Sequence, residues 1–216
     1  MTPQCTDKYG YTREPLIGCR AVVTVVSQKP KPPPKPAEKT IKCVIVGDRR
    51  VGKTALAVSY SNDTFPTQYT PTVYDNYKVV VEVDGKKIRY DICDTAGEDG
   101  PIPIDLCYDG TDVFMLCFSV VNRESFISAC TKWKSKLQQL RAAVVLVGTQ
   151  ADLKYSQSNK QNMVSWNEAA DLAAELNAQY VETSAKTCYH LKEAFDEAII
   201  AALAKRKNRW RRLCCY

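Results

Sequence analysis

An apolar run, Ile41-Lys42-Cys43-Val44-Ile45-Val46, breaks directly into Gly47-Asp48-Arg49-Arg50-Val51-Gly52-Lys53-Thr54, and a helix-forming stretch follows. The eight residues match G-x-x-x-x-G-K-[ST] in full, in the strand-to-helix context that gives the pattern its meaning. The glycines let successive backbone N–H groups turn inward around an anion, and the helix N-terminus adds its positive dipole end. In such a loop Lys53 reaches the β- and γ-phosphates and Thr54 ligates Mg²⁺.

The rest of the chain continues the alternation that this turn begins. Strand-like runs at Lys78 to Val83 and Lys87 to Asp94 flank an Asp84-Gly85 pair, the signature of a tight hairpin. Then come an apolar strand from Val113 to Val120, a helix capped by Asn122, and the strand Val144 to Gly148. A helix with the capping box Ser165-x-x-Glu168, the strand QYVETS and an amphipathic helix from about Tyr189 complete the pattern. Continuous apolar strands alternating with helices specify a mainly parallel α/β sheet covered on both faces, with the hairpin as its antiparallel edge.

Charge divides along the chain. Residues 1–39 carry seven basic and three acidic side chains, residues 40–204 carry 17 and 21, and residues 205–216 carry six and none, giving +6 overall. A nucleic-acid binder would carry its basic stripe on the folded domain, so nucleic acid is not expected as a partner. No apolar run approaches the ~20 residues of a membrane span, and no signal-peptide pattern opens the chain, which fits a cytosolic protein. The ten cysteines lie in strand-like segments without framework or C-x-x-C spacing and read as reduced thiols.

Further short motifs follow the strands. Asp94-Thr95-Ala96-Gly97 ends the third strand, where Asp94 can hold Mg²⁺ through water and the Gly97 N–H can meet a γ-phosphate. Thr149-Gln150-Ala151-Asp152 and Thr183-Ser184-Ala185-Lys186 follow the next two. The Asp152 carboxylate can accept from the N1–H and exocyclic amine of guanine, which adenine cannot offer, so GTP is favoured over ATP.

With these motifs the chain resembles the Ras-superfamily small GTPases, and within them the Rho family. The stretches that carry the resemblance are FPTQYTPTVYDNY (Phe65 to Tyr77), VDGKKI, TDVFMLCFSVV, TKW (Thr131 to Trp133), VLVGTQAD and LKEAFDEAI (Leu191 to Ile199), across about residues 40–204. The resemblance implies a P-loop GTPase domain with a mixed, mainly parallel six-stranded sheet, binding GTP or GDP with Mg²⁺. It implies that Phe65 stacks on the guanine edge, that Thr72 is a second hydroxyl ligand of Mg²⁺, and that Tyr74, Asp75, Asn76 and Tyr77 face effectors. Exchange factors and CRIB-type effectors such as PAK-like kinases are the implied partners, and actin and cell shape the implied output. The Thr149-Gln150 pair replaces the superfamily's Asn-Lys, as in several Rho proteins.

Three departures stand out. Arg49 replaces the Gly usual at the third loop position and obstructs the space of an attacking water and an inserted arginine finger. The DTAG string is followed by Glu98-Asp99-Gly100-Pro101 in place of the Gln that orients that water, whether the Gln is deleted or replaced by Glu98. No intact catalytic residue remains, so hydrolysis is expected to be slow or absent, and the switch to rest mainly with GTP. Pro101 and Pro103 break any regular helix there. The polar stretch between Asp152 and Ser165 is shorter than the helical insert of Rho proteins and reads as a loop.

The flanks read as appendages: 1–39 a proline-rich extension, 40–204 the GTPase domain, 205–216 a basic tail. Leu213 occupies the place of a prenylated Cys, but Cys214 and Cys215 follow six basic residues, a pattern for S-palmitoylation and attraction to anionic lipid on the cytoplasmic face of the plasma membrane or endomembranes. A solvated tail or nuclear-import signal is the other reading of the same residues. Pro30-x-x-Pro33-x-Lys35 fits an SH3-domain ligand, or a simple spacer. Together the flanks are similar to the atypical Wrch/Chp branch of Rho proteins. A non-hydrolysing, GTP-loaded or nucleotide-free scaffold is the alternative function. His190, the sole histidine, reads as structural.

Overall fold

Five of the six strands leave their carboxyl ends on one side of the sheet, and that arrangement positions the site. The computed structural model describes residues 40–68, 74–97, 108–155 and 161–213. The strands are β1 (Thr40–Val46), β2 (Tyr74–Val83), β3 (Lys86–Thr95), β4 (Val113–Ser119), β5 (Ala143–Thr149) and β6 (Gln179–Glu182), in the spatial order β2-β3-β1-β4-β5-β6. Only β2 runs antiparallel, paired with β3 through a turn whose central Asp84 and Gly85 both have positive φ, 49° and 71°. Such a turn follows the natural twist of a hairpin. The strand order reverses at β1, the switch point where open α/β sheets bind ligands.

Alternate strand residues feed two separate cores. Ile41, Cys43 and Ile45 of β1, with Met115 and Val147, pack under α1 (Lys53–Asn62) and α5 (Leu191–Leu213). Val44, Val46, Phe114, Phe118 and Leu146 face the other way, under α2 (Arg123–Ser128) and α4 (Trp166–Glu175). With both faces covered, the central strands have no polar side to show, which is why they read as continuous apolar runs.

The expected caps are in place. The Asn122 side chain accepts from the N–H groups of Glu124 and Ser125, and both bonds of the Ser165–Glu168 capping box are made. Sequence reading gives one helix after Asn122, whereas the structure inserts a π turn, Ala129–Trp133, between α2 and α3 (Lys134–Gln138). Trp133 at its end is fully buried, and no propensity scale signals the single extra residue in that turn. A 3₁₀ turn (Ala151–Tyr155) opens the polar stretch after Asp152. Among the described residues no helix is long and apolar enough to cross a membrane.

The boundary placed at 204/205 falls inside α5, which runs on through Leu213. Basic composition there reads as a tail, but two of its cations are used against the domain. Arg206 donates to both carboxylate oxygens of Asp112, at 2.7 and 2.6 Å, and to the Thr40 carbonyl at 2.7 Å, while Lys205 Nζ donates to the Ala142 carbonyl at 2.6 Å. Asp112 also accepts from the Lys42 N–H at 2.9 Å. Pro30, Pro33, Lys35, Cys214 and Cys215 lie outside the described residues. Asp112→Ala is expected to lower unfolding free energy by about 2 kcal/mol, and Arg206→Ala, whose side chain is partly solvated, by about 1 kcal/mol. Denaturant melts and amide exchange of the last turns of α5 measure both.

Candidate functional site

Gly47 leaves β1 with φ +139° and crosses over β4 so closely that a Cβ there would stand 2.1 Å from the Cys117 carbonyl oxygen. No other residue fits that crossing, because backbone cannot move aside as a side-chain tip can. The loop then turns through Arg50 at φ 62° and Gly52 at φ 89°, and α1 begins at Lys53. Lys53 is buried, and its ammonium donates to the loop carbonyls of Gly47 at 2.9 Å and Asp48 at 2.7 Å. Desolvation pulls its pKa below the ordinary lysine range, and the charge of Asp94 works in the opposite direction.

Asp94 stands near the end of β3, fully buried beside β1. The chain after it runs against the phosphate loop: a Cβ on Gly97 would lie 2.4 Å from Arg49 Cγ and 2.7 Å from the Arg49 nitrogen. The Arg49 stem therefore lies across Gly97. Thr54, on the first turn of α1, and the Asp94 carboxylate are hard oxygen donors, the kind that suits Mg²⁺. Thr72 and Glu98 lie outside the described residues, as do Pro101 and Pro103.

The loop after β5 is tied to the phosphate loop from the other side. The buried Thr149 hydroxyl stands within hydrogen-bonding reach of the Val51 carbonyl and, at 2.9 Å, of the Phe118 carbonyl, its single proton shared between them. Gln150, at φ 61°, accepts from the Ser119 hydroxyl at 2.5 Å and donates to the Arg50 carbonyl at 3.3 Å. Asp152 accepts from the Ser184 hydroxyl at 2.7 Å, and the Ala151 N–H donates to the Thr183 carbonyl, so the loops after β5 and β6 form one wall.

A cleft of about 250 Å³ opens between these loops, lined by Gly52, Phe65, Gln150, Asp152, Ala185 and Lys186 among others. Phe65 is 44% exposed at its rim. The structure thus gathers Gly47 to Thr54, Asp94, Gly97, Thr149, Gln150, Asp152 and Ser184 to Lys186 at the carboxyl ends of parallel strands. Tyr74, Asp75, Asn76 and Tyr77 begin the edge strand β2, with Asp75 opposite Asp94 in the antiparallel ladder. There the Tyr77 hydroxyl donates to Asp75 at 2.9 Å; burial, then that carboxylate, pushes its pKa up. His190 stacks on Tyr189 with ring centroids 3.9 Å apart, in keeping with a structural role.

Sequence reading assigns no part in the site to Ser119, Ser128, Trp133 or Leu153. Ser128 and Trp133 both bond to Asp48, Ser119 to Gln150, and Leu153 lines the cleft. Leu153 was findable as the residue after Asp152. The others act across more than 30 positions of sequence, where no local pattern points.

A strand-to-helix phosphate loop at the switch point of a mainly parallel sheet, facing a cleft walled by the loops after β5 and β6, defines a P-loop nucleotide-binding domain. A sequence model of the Ras family matches residues 42–204, about three quarters of the chain, and the chain belongs to that family. It is a small GTPase of the switch type, binding guanine nucleotide, with effectors and exchange factors as its general classes of partner. Thr149→Val, which keeps the volume and removes the hydroxyl, is expected to cost about 1–3 kcal/mol of stability and to weaken nucleotide retention. Chemical denaturation with and without added nucleotide checks both effects.

Proposed function

We propose that this small GTPase is a Rho-like switch of the Wrch/Chp kind, acting on actin and cell shape, that hydrolyses GTP poorly and rests mainly in its GTP-bound form. The observation that supports the hydrolysis claim is the Arg49 stem lying across Gly97; a bulky cation there would obstruct an attacking water and an inserted arginine finger. The absence of Gln after DTAG points the same way.

In this reading the phosphate loop from Gly47 to Thr54 wraps the phosphates, and Lys53 turns from the loop carbonyls to the β- and γ-oxygens. Asp152 takes the guanine edge, steadied by Ser184, with Phe65 and Lys186 on either side of the base. Thr54 and Thr72, with Asp94 acting through water, would hold Mg²⁺, which would offset the charge of the phosphates. The edge strand β2, from Tyr74 to Tyr77, receives CRIB-type effectors such as PAK-like kinases, since a strand at the end of a sheet is a place where a partner can add its own. Residues 1–39 act as a separate proline-rich arm that can take SH3 adaptors through Pro30, Pro33 and Lys35. The basic end of α5, with acylated Cys214 and Cys215, holds the protein on the cytoplasmic face of a membrane.

Nucleotide extracted from the purified protein is expected to be GTP; GDP would mark a working enzyme and an empty site a nucleotide-free scaffold. In single-turnover assays bound GTP is expected to persist, and conversion at rates typical of Rho proteins, alone or with an activating protein, would overturn the hydrolysis claim. Replacing Cys214 and Cys215 together by Ser is expected to move the protein from the membrane to the soluble fraction. An unchanged distribution would remove acylation from the account.

A further inference from the structure

Asp48 is the second residue of a loop built to receive an anion, where a carboxylate repels phosphate unless it is turned away and held. Its Oδ1 accepts two hydrogen bonds from the helical segment beside it, from the Ser128 hydroxyl at 2.8 Å and from the Trp133 indole N–H at 2.8 Å. Ser128 and Trp133 are five residues apart. The π turn makes that spacing useful: the Lys134 N–H donates to the Ala129 carbonyl, an i→i+5 closure that brings residues five apart onto one side. Trp133 is fully buried in the core under α2 and α4, so its N–H is fixed in place. On the other side of Asp48, its own carbonyl holds Lys53 at 2.7 Å, and the next residue, Arg49, lies against Gly97. One carboxylate oxygen thus ties the backbone that positions Lys53 to a helix face.

We propose that Ser128 and Trp133 are positioning residues for the nucleotide: through Asp48 they fix the phosphate loop, set the rate at which nucleotide leaves, and make the π turn a control point for exchange. The proposal rests on guanine-nucleotide binding at this loop. π turns inside helices occur often at functional sites, and here the turn supplies the two donors that a regular helix would place on different faces. Both donors are neutral, so they turn the carboxylate aside without adding a cation that would compete with Lys53 for phosphate.

The test uses the full chain loaded with a fluorescent guanine nucleotide and chased with excess unlabelled nucleotide. Trp133→Phe keeps an aromatic ring in the core, though a smaller one, and removes the donor; it is expected to speed release about tenfold, the scale of losing a hydrogen bond to a charged group. Ser128→Ala is expected to speed release as well, and Ser128→Thr, which keeps the hydroxyl, to restore it. Asp48→Ala combined with Trp133→Phe is expected to release no faster than the quicker of the two single variants, since both remove the same tie. The indole N–H resonance of Trp133 is expected to shift in Asp48→Ala, a readout that lost packing elsewhere would not move.

Release at the parent rate in Trp133→Phe and Ser128→Ala, or single effects that multiply in the double variant, would overturn the proposal while leaving nucleotide binding intact. A parent protein that binds no guanine nucleotide would overturn both. If Trp133→Phe does not fold, the Ser128→Ala and Ser128→Thr pair decides the matter alone.

Discussion

The carbonyl oxygen of Cys117 occupies the space that a side chain at position 47 would need. That backbone crossing lets the chain leave β1, pass over the end of β4 and curl back as a ring of N–H groups. The arrangement cannot be relaxed by a rotamer change, because the obstacle is a strand carbonyl held in a sheet with β5 on its far side. Lys53 reaching back to Gly47 and Asp48, Thr149 reaching across to Val51, and the Arg49 stem resting on Gly97 all presuppose it.

Around that crossing the loop is held by side chains from other elements. Trp133 and Ser128 hold Asp48, Thr149 holds Val51, and Gln150 holds Arg50, so the loop is braced in the middle as well as at its ends. Every one of these donors is neutral, so the bracing itself adds no cation to those the loop already carries at Arg49, Arg50 and Lys53. A loop already shaped for its ligand loses little entropy when the ligand arrives. The departure at Arg49 leaves this bracing untouched, since none of these four bonds passes through its side chain.

Much of this was legible in the sequence because the governing physics is local. Strands buried on both faces must be apolar throughout, Asp84-Gly85 accepts two positive φ angles, and Asn122 and the Ser165–Glu168 box satisfy orphan N–H groups within one turn. The phosphate loop was legible for the same reason, being a single contiguous string. What stayed hidden was non-local or had no compositional mark. The π turn differs from an α turn by one residue of register, and the bond from Trp133 to Asp48 spans 85 positions. The end of α5 is more instructive: Lys205 and Arg206 have the composition of a solvated tail, and only partners far away in sequence, the Ala142 carbonyl for Lys205 and the Asp112 carboxylate and Thr40 carbonyl for Arg206, give them a place on the domain.

The bond from Arg206 to the Thr40 carbonyl joins residues 166 positions apart, at the amino end of β1 and therefore at the opposite end of that strand from the phosphate loop. The amino end of β1 and the Arg206 turn of α5 are thus neighbours in space, so that a pull on one is felt at the other directly instead of through the length of chain between them.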